Sequence, residues 1–299
     1  MTATLTPPPA APSRSTAPKQ PMVRKRRGRD VGTPIAYLIA IVICTITIAP
    51  VVYVILGGFR TTAQINRDPS GFPNPWVFDK YGAVFADPNF WTQFGNSTIV
   101  AVATTTGVII LGVMAAFVIA RYEFVGRGFL FSLFVAGLLF PLTVAVLPLF
   151  TMLRTFGLLG NLFAVIGPQV AFALPTTIII LVPFLRAIPA ELEEAATIDG
   201  ASRIGFFWRI LLPLSWPGLV TVGVLAFVAS WNAYLLPLLL LGNPATATLP
   251  VGVQYFSTAY SQDTAGVLAF TSVAMIPALL FFTLAQRRIV GGLTGAVKG

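Results

Sequence analysis

Residues 187–218 read AIPAELEEAATIDGASRIGFFWRILLPLSWPG, a polar island between two long apolar runs. Pro189 can open a helix, and Glu191, Glu193 and Glu194 fall in its first turns, where carboxylates complement the helix dipole. Leu192, Ala195, Ala196 and Asp199 share one face at i, i+3, i+4, i+7 spacing, and the small alanines let another surface approach closely. Gly200 supplies a left-handed stop. Ser202 can cap a second helix bearing Phe206, Phe207, Ile210 and Leu211, which Pro213 and Pro217 end. This predicts a bent pair of short helices at a membrane surface. The residues alone leave two readings open: an interfacial amphipathic elbow with no partner, or a surface that docks a separate protein.

Working outward, six apolar runs surround the island: 34–59, 97–120, 129–151, 162–185, 216–241 and 265–285. Each can supply the roughly 20 apolar residues that cross about 30 Å of hydrocarbon, and none contains Asp, Glu, Lys or Arg. Over the whole chain 56% of residues are hydrophobic and 10% charged, where soluble domains carry about 25% charged residues. The expected fold is all-α, a polytopic membrane helix bundle with six transmembrane helices over 31–290. The first run is longer than a signal-peptide core and lacks a small-x-small cleavage site, so it reads as an uncleaved span. Prolines within the runs suggest kinked helices around a pathway, or adjustments of packing alone. Residues 1–30, opening on a stretch rich in Pro, Ala, Ser and Thr, read as a disordered basic tail, and 286–299 as a C-terminal tail.

Charge sets the expected orientation. The segments 60–96 and 152–161 hold only Arg60, Arg67, Lys80 and Arg154 of the nineteen Lys and Arg residues, and 242–264 holds none. The other fifteen fall in the tails and in the loops at 121–128 and 186–215, which places both termini and the 187–215 loop in the cytoplasm. The net charge of +9 is concentrated before the first span, which fits an anionic membrane surface and argues against nucleic acid. Without histidine, triads of the Ser-His-Asp type and His-ligated metals are excluded. A single cysteine, Cys44, allows no internal disulfide. A secondary transporter would usually need ionisable groups inside its spans, and a membrane-embedded enzyme lacks a buried carboxylate pair here.

The spacing Glu194-Ala195-Ala196, three residues, Gly200, nine residues, Ile210, one residue, Leu212-Pro213 resembles the EAA signature of the membrane subunits of binding-protein-dependent ABC importers. Asp199 and Ala201 match the form found in carbohydrate importers. Asn96-Ser97 looks like the family's NS start. Trp231-Asn232 resembles its WN element, although Ala233 replaces the acidic residue often found next. The C-terminus, from Gln286-Arg287-Arg288 to Gly299, is similar to that of the six-span maltose-type subunit. The resemblance implies a type I importer permease, forming half of a pathway for a sugar or oligosaccharide. A second homologous permease, a pair of ABC ATPases and an extracytoplasmic solute-binding protein would be its partners, in a prokaryotic plasma membrane and in contact with its lipid. The implied ATPase-docking residues are Glu194, Ala195, Ala196, Asp199, Gly200, Ala201, Ile210 and Pro213, with Gln286, Arg287, Arg288 and Gly299 as tail contacts. Gln169, Trp231 and Asn232 are polar or aromatic groups inside spans, so they are pathway candidates; helix-to-helix hydrogen bonding is the alternative. The chain has no GxxxxGK[ST] loop. It is expected to bind no cofactor or metal and to catalyse nothing, with ATP and magnesium on the partner.

Overall fold

The computed structural model describes residues 32–256 and 263–296. The expected tail at 1–30 and Gly299 lie outside the described residues, as do the side chains of Gln286, Arg287 and Arg288. Every regular element among the described residues is helical. Helix α1 (Gly32–Gly57) opens the chain; its stretch up to Ile48 forms a unit by itself, and its side chains from Pro34 onward are exposed there.

The second unit begins at Ala49. It contains α2 (Thr62–Arg67), α3 (Asp79–Ala86), α4 (Pro88–Arg121), α5 (Arg127–Gly137), α6 (Leu142–Thr155) and α7 (Phe163–Arg186). Then come α8 (Glu191–Ile198), α9 (Arg203–Phe206), a π-turn (Phe207–Leu211), α10 (Leu212–Leu214), α11 (Trp216–Trp231), α12 (Leu235–Leu241), α13 (Leu249–Gly252) and α14 (Thr264–Ala296). Four helices are individually long and apolar enough to cross a membrane: Pro34–Gly57, Pro88–Arg121, Phe163–Arg186 and Thr264–Leu284. Counting each of two sharply bent helix pairs as one crossing gives six.

Four of the expected runs differ from the helices observed, the last because α14 continues past 285 to Ala296. The run at 129–151 is not one helix: α5 and α6 meet at 97°. Pro141 lacks an N–H, and its own backbone is extended (φ −74°, ψ 129°) before α6 starts. The run at 216–241 is interrupted after Trp231, where Asn232 leaves helical geometry and α12 restarts at Leu235. In the other direction, α4 starts nine residues before the expected span. Asp87 Oδ1 accepts from the Asn89 N–H at 2.9 Å, and Pro88 sits at the first helical position, where a missing N–H costs nothing. Prolines do not interrupt α7, which runs through Pro168, Pro175 and Pro183.

Helix α4 packs on α7 and α11, and α11 on α14. Small residues allow the close approach, as expected where lipid is as apolar as the helices. A Cβ on Gly112 of α4 would lie 2.4 Å from Thr177 Cγ2 of α7, and one on Gly223 of α11 would lie 3.1 Å from Ile109 Cδ1 of α4. Of the apolar clusters that result, two frame the ends of α4. One joins the C-terminal parts of α4 and α7 to Ala196, Phe206, Phe207 and Leu211 of the island. The other gathers Val84, Phe90, Ala101, Trp231, Leu249 and Phe270 at the opposite end of α4.

Candidate functional site

The island forms the expected elbow. Glu191, Glu193 and Glu194 occupy the first turn of α8. Its end is a Schellman motif: the Ala201 N–H reaches Ala196 O at 2.8 Å and the Gly200 N–H reaches Thr197 O at 3.0 Å. This needs a left-handed residue, and Gly200 has φ +81°. Ser202 then caps α9, its Oγ accepting from the Gly205 N–H at 3.1 Å. The hydroxyl of Ser215, at the junction of α10 and α11, donates back to Leu211 O at 2.6 Å.

The elbow is anchored from within. Phe206, Phe207 and Leu211 are buried. The Arg121 guanidinium at the end of α4 donates to Ile188 O at 2.9 Å, and Arg203 lies over the Tyr122 ring, 5.2 Å from its centre. The sequence-derived docking face divides. Glu194, Ala195, Asp199, Gly200 and Pro213 are exposed, and Ala201 and Ile210 are half-buried. Ala196 points inward at 6% exposure and packs in the core. In its place the structure presents Ile198 (86% exposed), Ile204 (72%) and Trp208 (61%). Sequence reasoning passed over these three because none lies on the apolar stripe of either helix. Their signal was a large apolar side chain on the polar side of an amphipathic turn.

The three pathway candidates also separate. Trp231 is buried and donates its indole N–H to Ala274 O at 3.0 Å, joining α11 to α14, and it borders the cavity that Asn232 lines. Asn232 lines one cavity of about 540 Å³ together with Tyr234, Gln254 and Met275. Gln169 lines another of about 540 Å³, formed between α4, α7, α11 and α12. There the Thr104 and Ser230 hydroxyls donate to Gln169 Oε1 at 3.2 and 2.5 Å. Tyr234, in the break between α11 and α12, borders both cavities. Thr104, Ser230 and Tyr234 were not singled out from sequence, since isolated hydroxyls in apolar helices more often bond their own backbone.

Asn96 and Ser97 latch the segment after α12. Asn96 Nδ2 donates to Ala245 O and Ala247 O at 2.9 and 3.0 Å, and Ser97 Oγ accepts from the Leu249 N–H at 2.8 Å. At the start of α14, Asp263 accepts from Lys80 Nζ at 2.6 Å, from the Thr62 hydroxyl at 3.0 Å and from the Gly266 N–H at 3.1 Å. Burial pushes the Asp263 carboxyl up, but Lys80 and the two other donors outweigh it and hold it below the usual carboxylate range.

Residues 108–294 match the family described as "binding-protein-dependent transport system inner membrane component". The chain is 36% identical over 262 residues to the diacetylchitobiose uptake system permease protein NgcG of Streptomyces coelicolor, covering 87% of each. It is 37% identical over 253 residues to the trehalose transport system permease protein SugB of Mycobacterium tuberculosis, covering 84% of this chain and 92% of that one. Among solved structures it resembles a chain of a bacterial ABC transporter that imports the acidic polysaccharide alginate. The TM-score is 0.73 at 24% identity, over 86% of this chain and 95% of the other.

Proposed function

The chain belongs to the family of binding-protein-dependent transport system inner membrane components, and from that premise we propose that it forms half of the pathway through which an ABC importer takes up a sugar or oligosaccharide. It is a multi-pass membrane protein and a transport subunit, not an enzyme. A solute-binding protein outside delivers the cargo, and a separate ATPase holds ATP and magnesium. A second, homologous permease completes the pathway, and both termini of this chain face the cytoplasm.

The single observation that carries the coupling reading is the elbow. Ile198, Ile204 and Trp208 are each exposed on an elbow of α8, α9 and the π-turn that Ala196, Phe206, Phe207 and Leu211 lock into the core. An exposed apolar group on a rigid mount suits a groove on the ATPase. Closure of the ATPases on ATP then moves α8 and α9 as one lever, and the lever shifts the packed bundle of α4, α7 and α11 between two accessibilities. The family's diacetylchitobiose- and trehalose-named members support saccharide cargo.

Gly200→Val tests this reading. At φ +81° a β-branched residue is strained by roughly 1–3 kcal/mol, which distorts the elbow and leaves the spans alone. Membrane insertion is expected to persist, while co-purification of the ATPase and saccharide uptake fall together. Normal ATPase recovery with wild-type uptake would sink the docking reading.

A further inference from the structure

We infer that the cavity around Gln169 receives an uncharged saccharide, held by the Gln169 amide beside the Tyr234 ring; this deepens the importer reading and rests on it. None of the residues lining the cavity carries a charge. Its volume of about 540 Å³ lies within the ~300–1,000 Å³ of pockets that enclose small organic ligands. The hydroxyl of Thr177 is committed to Ala173 O at 2.9 Å, and those of Thr104 and Ser230 are committed to Gln169 Oε1. The Gln169 side chain is 9% exposed, and its Nε2 is buried without a partner.

A buried amide end of this kind is costly unless something inside the cavity completes it. Turning the amide over does not remove the vacancy. Nε2 would then donate to the two hydroxyl oxygens, and Oε1 would face the cavity unpartnered. A sugar hydroxyl both donates and accepts, so it satisfies either orientation. Tyr234 sits in the α11–α12 break, exposed to the cavity on one side and bonded through its hydroxyl to Gln254 Nε2 on the other. Its ring supplies the apolar face against which a pyranose stacks. A carboxylated or sulfonated sugar would meet no counter-charge from this chain and would lose its hydration on entry.

The test uses the complete importer in liposomes, with binding protein outside and ATP on the ATPase side. The probes are labelled trehalose, diacetylchitobiose, arabinotriose and an alginate trisaccharide. At least one neutral probe is expected to enter more than tenfold faster than the alginate trisaccharide. Gln169→Leu should slow that uptake by ~3–10-fold, the size of one lost neutral hydrogen bond, while the assembled importer is recovered in wild-type amount. The variant should fold, because Thr104 and Ser230 can turn their hydroxyls to the backbone carbonyls four residues earlier. Ser230→Ala, which frees the amide to rotate, gives a second variant with a smaller loss. Preferential entry of the alginate trisaccharide, or wild-type uptake by both variants, overturns the inference and leaves the importer reading standing. No ATP-dependent entry of any probe, together with ATP hydrolysis that the binding protein does not stimulate, overturns both.

Discussion

Substituting Gly112 tests whether the α4–α7 contact is as close as its geometry indicates. A Cβ added at Gly112 falls 2.4 Å from Thr177 Cγ2 and 3.4 Å from Thr177 Cβ. Ordinary contact therefore requires Thr177 to retreat by about an ångström or to rotate. Retreat is blocked, because Thr177 is buried. Rotation gives up its hydrogen bond to Ala173 O. Overpacking of this kind costs ~1–3 kcal/mol, and the bond a further ~0.5–1.5 kcal/mol. The better helix propensity of alanine returns ~1 kcal/mol. Gly112→Ala should therefore destabilise the chain by about 0.5–3.5 kcal/mol on those same scales. Thr177→Ala in the same background deletes both the clashing methyl and the threatened hydroxyl, so the double variant should recover most of the loss. The assay is a double-mutant cycle read by tryptophan fluorescence during denaturation in detergent. Strictly additive losses, with no rescue by Thr177→Ala, would refute the close contact.

Three further outcomes are expected. Asp263 has its folded-state pKa lowered, so its contribution is complete above the ordinary carboxylate pKa of about 4 and is lost as pH falls through the lowered folded value. Wild type and Asp263→Asn should thus differ in stability at pH 6, by less than ~1 kcal/mol because the Lys80 pair is about a third exposed, and converge as pH falls below the lowered folded value; a gap that does not shrink with acid contradicts the ion pair as its source. Asn96→Ala breaks both bonds to Ala245 and Ala247 and should speed limited proteolysis after α12 several-fold without altering membrane insertion; unchanged cleavage means the latch does not hold that segment. Ile198→Asp with Ile204→Asp should leave stability within ~0.5 kcal/mol of wild type, since both are exposed, yet abolish co-purification of the ATPase.

Some local stops were legible because they depend on residues a few positions apart, although the helix expected to end at Pro213 runs through it to Leu214. The Schellman stop at Gly200 and the Ser202 cap lie where the sequence puts them. The assignment of faces was less secure. Leu192, Ala195, Ala196 and Asp199 share a helical stripe in sequence, but only Ala196 turns into the core, since the bundle approaches α8 from one narrow direction. Trp231 and Gln169 looked alike as polar-tipped residues in apolar helices. Contacts over 40 residues away separate them: Ala274 takes the indole N–H of one, and Thr104 and Ser230 take one end of the amide of the other.

The sequence by itself determined the membrane class, the apolar runs, the elbow between them and, through the EAA spacing, the family. These follow from composition and short-range spacing, which need no knowledge of neighbours in space. Tertiary structure alone decided where the runs break, which elbow residues remain free for a partner and which polar group in the spans is left unsatisfied. Each of those depends on what packs opposite a residue. A one-dimensional pattern records which atoms a side chain carries, and folding decides which of them already have partners.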